Sequence, residues 1–467
     1  MKKILSFLFP VALGLAIFFL PRPIDIEPKG WSLFALFVAT IVALITKPMP
    51  MGGVSLISLT IAMAFGILDM QKQALVGFSS SISWLIVVVF VISRGFIKTK
   101  LGDRVAYFFV TLFGKTTLGL GYSLVLTEML IAPFMPSSIA RAGGIIYPMI
   151  KSLSKSVVNT KDGYDESSIG AFLVTVCYQA NIISSAVFLT AMAANPIIQS
   201  MLGGYGINID WTTWFVAASL PGFVSVIVIP FFIYIIYPPK LKDMSHIKIL
   251  AIKELQNMGS ISRNEWIMMF VFSLMLTLWV FGSSLGVDTT VTGFIGLSML
   301  LIFGVLTFDD VLSEKEAWHT LLWFSILMVL AQNLQTYGVI KWFSQILSGN
   351  IGNLPWQKGF VIIILVYCYT HYFFASITTH VSAMLPAFLS ISLALGTPPM
   401  LAGLVFAFAS SLQSCLTHYG TSSGAVYFSS NFVSIAQWWR VGFAISIVYF
   451  IIWGVFGVMW WKALGMW

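Results

Sequence analysis

Ten apolar runs of about membrane-crossing length recur along this 467-residue chain, near 4–20, 31–46, 53–69, 82–97, 168–189, 213–237, 264–281, 291–306, 319–335 and 439–462. A bilayer core takes about 20 apolar residues per helical crossing, and within it only helices or closed barrels satisfy their own backbone polar groups. Runs this long and this frequent read as an all-α polytopic membrane protein. Composition agrees: charged residues make up 9% and hydrophobic residues 58%, against about 25% charged in soluble domains. Such a chain cannot cover a water-facing surface.

The opening MKKILSFLFPVALGLAIFF has the basic start and apolar middle of a signal peptide. It runs into FFLPRP without a small-residue cleavage site, so it reads as a retained first span. Cys177, Cys368 and Cys415 are too few, in too apolar a setting, for a disulfide framework or a metal cluster. The net charge of +8 fits basic residues collecting in cytoplasmic loops better than it fits nucleic-acid binding. Neither a metal nor a cofactor is expected.

After an N-terminal span and linker (1–30), a polar linker at 238–263 separates two membrane halves, 31–237 and 264–467. Each half contains a longer apolar region broken by Ser, Thr, Gly and Pro. The N-terminus is placed in the cytoplasm, with 116–152 as a re-entrant hairpin from the inside and 357–396 as one from the outside. The inside then holds 17 of the Lys and Arg residues, Lys98, Lys100, Arg104, Lys115 and Lys161 among them, and the outside holds 6, Lys341 among them. Arg94 and Arg141 remain in the membrane. The positive-inside rule favours this topology, for a multi-pass protein of the cell (inner) membrane. Hydropathy alone is also compatible with each hairpin arm being a full span.

Arg141 stands out, because an arginine at bilayer depth is opposed by roughly 2.5–3.5 kcal/mol on insertion scales. It lies in PSSIARAGGIIYP (136–148), which has a counterpart in ASITTHVSAMLP (375–386): Ser137 and Arg141 match Ser376 and His380. Each segment is followed by a long apolar stretch broken by a polar cluster, LTAMAANP (189–196) in the first half and LTHYGTSSG (416–424) in the second. The broken helices are expected at 168–196 and 400–428. Small residues in membrane helices most often serve close packing. Four interruptions in matching order, two carrying a cation-capable residue, point instead to an inverted-repeat transporter with a shared central site. Helix N-termini, hydroxyls, a permanent guanidinium and a titratable imidazole suit a small multivalent anion.

PSSIARAGGIIYP, TAMAANP, FFASITTHVSAMLPAF, LTHYGTSSGAVYF and WWRVG together resemble the divalent anion:sodium symporter family, in its branch of plastid 2-oxoglutarate/malate translocators and bacterial citrate and tartrate antiporters, from about residue 31 to the C-terminus. The resemblance implies about eleven spans plus two hairpins, a homodimer, and a scaffold domain against which a transport domain moves as an elevator. It places substrate contacts on the tip triplets Ser137, Ser138, Ile139 and Ser376, Ile377, Thr378, together with Thr190, Asn195, Thr417 and Thr421 in the broken helices, where His418 reads equally as a ligand or as a structural hydrogen-bond partner. The tips lack the asparagine of the family's Ser-Asn-Thr signature. Arg141 and His380 stand where sodium-coupled members have a small neutral residue, so fixed cations are expected to replace bound sodium and both residues to join the substrate site. The expected function is sodium-independent exchange of C4/C5 dicarboxylates, with sodium-coupled di/tricarboxylate symport or an anion channel as alternatives.

Glu128 is expected to pair with a hairpin cation or a backbone donor rather than to couple protons, and His371 to be structural. An enzyme is not expected, since the chain has no His-Glu-x-x-His, no Gly-x-Ser-x-Gly and no intramembrane acidic pair. Membrane lipid and the dicarboxylates are the other expected partners.

Overall fold

The computed structural model describes residues 2–158, 166–339, 342 and 355–467; Lys161 and Lys341 of the charge count lie outside them. All ten apolar runs are helical, and the described residues contain no strand, only an isolated bridge between Thr116 and Asp243. Among the described residues ten helices are long and apolar enough to cross a membrane, with shorter apolar helices at Leu5–Phe19, Met51–Ala64 and Thr289–Ile302.

The two interrupted regions of each half fold in parallel ways. The first hairpin runs through helix Thr117–Ile131, a tight turn at Ala132–Phe134 and an extended Met135, and restarts at Ser138. Its second arm passes through a wide turn at Ala142–Ile146 into helix Tyr147–Val158. The second hairpin runs through helix Trp356–Tyr369, a tight turn at Thr370–Phe373 and an extended Phe374, then helix Ile377–Ala394. Both chains reverse: Arg141 touches Glu128 and the His380 ring lies 4.6 Å from that of Tyr367. Thirteen residues of straight helix would hold each pair about 20 Å apart.

The first broken helix is Glu166–Val187, interrupted through Met192, then Ala194–Gly204. The second is Pro399–Leu412, interrupted from Gln413 to Thr421, then Ser422–Phe428. Residues 169–187 are buried without exception, so this helix forms the centre, whereas only 33% of the Arg263–Phe281 window is buried and that helix lies at the periphery. Helix Ile435–Ile451 backs the second break at close range, and the backbone needs glycine there: a Cβ at Gly442 would lie 2.2 Å from the Cys415 carbonyl.

Polar side chains gather at one end. Arg94 and Lys98 meet Asp310, and Arg94 also meets Glu314. Arg104 pairs with Glu265. The segment 238–263, expected as a polar linker, contains a helix, Ser245–Asn257, packed on Leu101–Phe113.

Candidate functional site

Serine caps restart both hairpins. Ser137 accepts from the Ala140 N–H at 3.1 Å and Ser376 from the Thr379 N–H at 3.4 Å. Each cap satisfies one of the unpaired donors of a helix start. At the tips, Ile139 is exposed, Ser138, Ser376 and Thr378 are half-buried, and Ser137 and Ile377 are buried. Ile377 offers no side-chain oxygen, so any contribution it makes to a ligand is through its backbone.

Arg141 is wholly buried, and all five of its N–H groups point at protein acceptors. Nε donates to Glu128 Oε1 at 2.6 Å. Nη1 donates to the Met135 carbonyl and, at 2.6 Å, to the Ala191 carbonyl. Nη2 donates to Ser185 Oγ at 3.0 Å and to Ser184 Oγ at 3.4 Å. Glu128 Oε1 also accepts from Asn181 at 2.7 Å and Ser184 at 3.1 Å. The side chain expected to face a substrate carboxylate thus fills an oxygen-lined cage between the first hairpin and the first broken helix. Charge-assisted bonds of this kind are the strong class of hydrogen bond.

The second cage is built at matching positions without formal charge on its walls. His380 replaces Arg141, and Tyr367, thirteen residues earlier, replaces Glu128. His380 Nδ1 lies 2.8 Å from Gln413 Nε2, and Nε2 lies 3.1 Å from Thr370 Oγ1, which donates to the Tyr367 carbonyl at 2.8 Å. A neutral ring with its proton on Nε2 satisfies this chain. Tyr367 Oη meets Ser410 Oγ at 2.7 Å, in the place of the contact between Glu128 and Ser184.

The other expected ligands divide. Thr190 donates to the Pro133 carbonyl at 2.7 Å, and Asn195 donates to the carbonyls of Ser185 and Phe188 at 2.7 and 3.0 Å, so both tie the first break to its surroundings. Thr421 caps helix Ser422–Phe428 through the Gly424 N–H at 3.2 Å. Thr417 is buried and its hydroxyl lacks a partner among the described residues, as do Thr379 Oγ1, Gln413 Oε1 and Asn195 Oδ1. His418 is half-buried, accepts from Trp439 Nε1 at 3.4 Å and stacks near Phe428. His371 holds the Gly420 carbonyl at 3.1 Å.

The broken helices are tied to each other. Tyr178 donates to the carbonyls of Ser414 at 2.6 Å and Thr417 at 3.1 Å, and Ser411 donates to the Ile182 carbonyl at 3.1 Å. Across the halves, Ser422–Phe428 packs on Ser138–Arg141, while Ala194–Gly204 packs on Ile377–Ala394. Asn181, Ser184, Ser185, Tyr178, Tyr367 and Gln413 escaped sequence reasoning. The available signals were the polar cluster NIISS in a wholly buried helix and the shared thirteen-residue spacing.

These features have relatives. Over 460 residues the chain is 47% identical to dicarboxylate transporter 1, chloroplastic, of Arabidopsis thaliana, covering 98% of this chain and 82% of that one. The spinach protein of the same name is 46% identical over 457 residues, covering 97% and 80%. The citrate/succinate antiporter of Escherichia coli is 31% identical over 484 residues, covering 100% and 99%. In fold, the chain is similar to the YdaH transporter of Alcanivorax borkumensis, with a TM-score of 0.54, 12% identity, and coverage of 82% of this chain and 85% of that chain. The model of the sodium:sulfate symporter transmembrane region matches residues 1–467, and the chain belongs to that family, the divalent anion:sodium symporters.

Proposed function

We propose that the protein exchanges C4/C5 dicarboxylates such as 2-oxoglutarate, malate, succinate and fumarate across the cell membrane without sodium. The supporting observation is the first cage. Two backbone carbonyls, two serine hydroxyls and a carboxylate converge on one point between hairpin and broken helix. Oxygen donors of this kind suit a hard cation, and here a covalently attached guanidinium takes their centre. A carrier with no bound co-ion must draw the energy for uphill uptake from elsewhere, and an outgoing dicarboxylate supplies it. Relatives named as dicarboxylate transporters and as an antiporter support the same reading.

In this reading Arg141 and His380 brace the hairpins on their broken helices. The substrate carboxylates meet the tip backbones at Ser138, Ile139, Ile377 and Thr378, with Thr417 and His418 beside them. Hairpins and broken helices together form the transport domain of an inverted-repeat, elevator-type homodimer with a cytoplasmic N-terminus. The test is uptake of labelled 2-oxoglutarate into proteoliposomes. Uptake is expected to require a dicarboxylate inside and to persist when sodium is replaced by potassium or choline. Concentrative uptake into empty vesicles on a sodium gradient would overturn the proposal.

A further inference from the structure

Helices Leu101–Phe113 and Ser245–Asn257 form a pair outside the site described above. They run antiparallel and are fastened at both ends. At one end Arg104 reaches Glu265 and donates to the carbonyls of Met258 and Gly259 at 3.3 and 3.0 Å. At the other end the Met244 N–H donates to the Lys115 carbonyl at 2.8 Å, the Thr117 N–H to the Lys242 carbonyl at 3.1 Å, and the Thr117 hydroxyl to the Leu241 carbonyl. The pair therefore bridges the start of the first hairpin and the start of helix Arg263–Phe281.

Both helices are two-faced. Leu101, Ala106 and Val110 are buried on one, Ile247 and Ala251 on the other. Their outer faces carry Phe108 at 52% exposure, Leu112 at 52%, Phe113 at 47% and Ile249 at 68%. Beside these lie Lys115, Lys242 and Lys253, exposed, and Lys248, half-buried. None of the four is in an ion pair among the described residues. Among the described residues the nearby acids are engaged or outnumbered: Glu265 is held by Arg104 and Asp243 by the Ser245 N–H and hydroxyl, which leaves Asp103 and Glu254.

An exposed apolar face edged with unpaired lysines is the form of an interfacial helix, seated at the headgroup boundary with its cations among lipid phosphates. We infer that this helix pair is a binding surface for anionic lipid headgroups, with Lys115, Lys242, Lys248 and Lys253 as the phosphate-facing cations. The occupant is the bilayer surface, because a soluble phosphate would have no use for the aromatic and aliphatic side chains beside the lysines. The surface stands apart from the substrate reading and is tested without transport.

The full chain is purified from membranes of mixed phosphatidylcholine and phosphatidylglycerol, and retained lipid is counted by mass spectrometry. The parent should be enriched in phosphatidylglycerol, with the enrichment falling as salt rises. Joint substitution of Lys115, Lys242, Lys248 and Lys253 by Gln should cut retention by about fivefold or more, the effect of a single surface lysine. The same substitution at Lys29, Lys47, Lys72 and Lys358, exposed elsewhere, should leave it unchanged. Salt-insensitive enrichment in the parent, equal retention in the first variant, or equal loss in the control would overturn the assignment.

Discussion

The two hairpin cages solve one problem with different chemistry. Each ties a hairpin to its broken helix through the fifth residue of the restarted arm, counting the capping serine as the first, and through a partner thirteen positions earlier. In the first half the pair is Arg141 and Glu128, an ion pair wholly out of water. In the second it is His380 and Tyr367, neutral groups bonded through Thr370, Gln413 and Ser410. Matched geometry therefore does not fix charge. A buried ion pair gains little over a neutral packing while intact, but it is costly to break by halves. The first cage should behave as an all-or-none unit and the second as a set of separable contacts.

The sharpest break of this comparison is Glu128→Gln. It keeps shape and an acceptor oxygen but strands a buried guanidinium, a loss of about 3–5 kcal/mol. Thermal-shift and size-exclusion measurements in detergent should show a strongly lowered melting temperature and reduced folded yield. Arg141→Ala should be similarly severe, because it strands Glu128 and opens a cavity. Arg141→Lys should rescue poorly, since one ammonium cannot reach five acceptors. Joint Glu128→Gln and Arg141→Met should recover more than half of the single-variant loss. A Glu128→Gln protein as stable as its parent would show that the ion pair does not control the cage.

A smaller effect is expected from His380→Ala. The Gln413 amide and the Thr370 hydroxyl each lose a partner, at about 1–3 kcal/mol together, and the ring contacts with Tyr367 and Phe374 at 4.6 and 4.8 Å are lost. The melting temperature should fall by clearly less than in Glu128→Gln. Equal falls would mean that the second cage is as tightly coupled as the first.

The contrast also marks what the sequence could and could not convey. Helices at every apolar run follow from composition, because in lipid a backbone of that length has no alternative to pairing with itself. Ser137 and Ser376 marked the matching hairpin tips in the sequence, but that their hydroxyls cap the restarted arms emerged only in the structure. The partner of Arg141 was legible only in part: Glu128 was expected to pair with a hairpin cation, and it does, but Arg141 was itself expected to face a substrate carboxylate. A buried guanidinium is served equally well by a substrate carboxylate and by a protein one, and the choice depends on a turn at Ala132–Phe134 that brings Glu128 and Met135 within reach. The second cage was harder still, since Tyr367 and Gln413 look like ordinary members of an apolar helix until the fold sets them beside His380. Helix Ser245–Asn257 was hidden by its own lysines and glutamate, which made an amphipathic element read as linker.

The smallest expected effect is the most informative about separability. Ser410 Oγ donates to the Phe406 carbonyl at 2.6 Å, so its single proton is committed and the Tyr367 hydroxyl is the donor in the 2.7 Å bond between them. Tyr367→Phe removes that donor and leaves only a serine lone pair unsatisfied, while keeping the ring against His380, Phe388 and Phe406. The loss should be near 0.5–1.5 kcal/mol, the range of one neutral hydrogen bond. Exchange should persist, because the chain from Gln413 through His380 to Thr370 and the Tyr367 carbonyl does not use the phenol. The check is a thermal shift measured beside counterflow of labelled 2-oxoglutarate. A collapse on the scale of Glu128→Gln would show that the neutral cage, like the charged one, stands or falls as a unit.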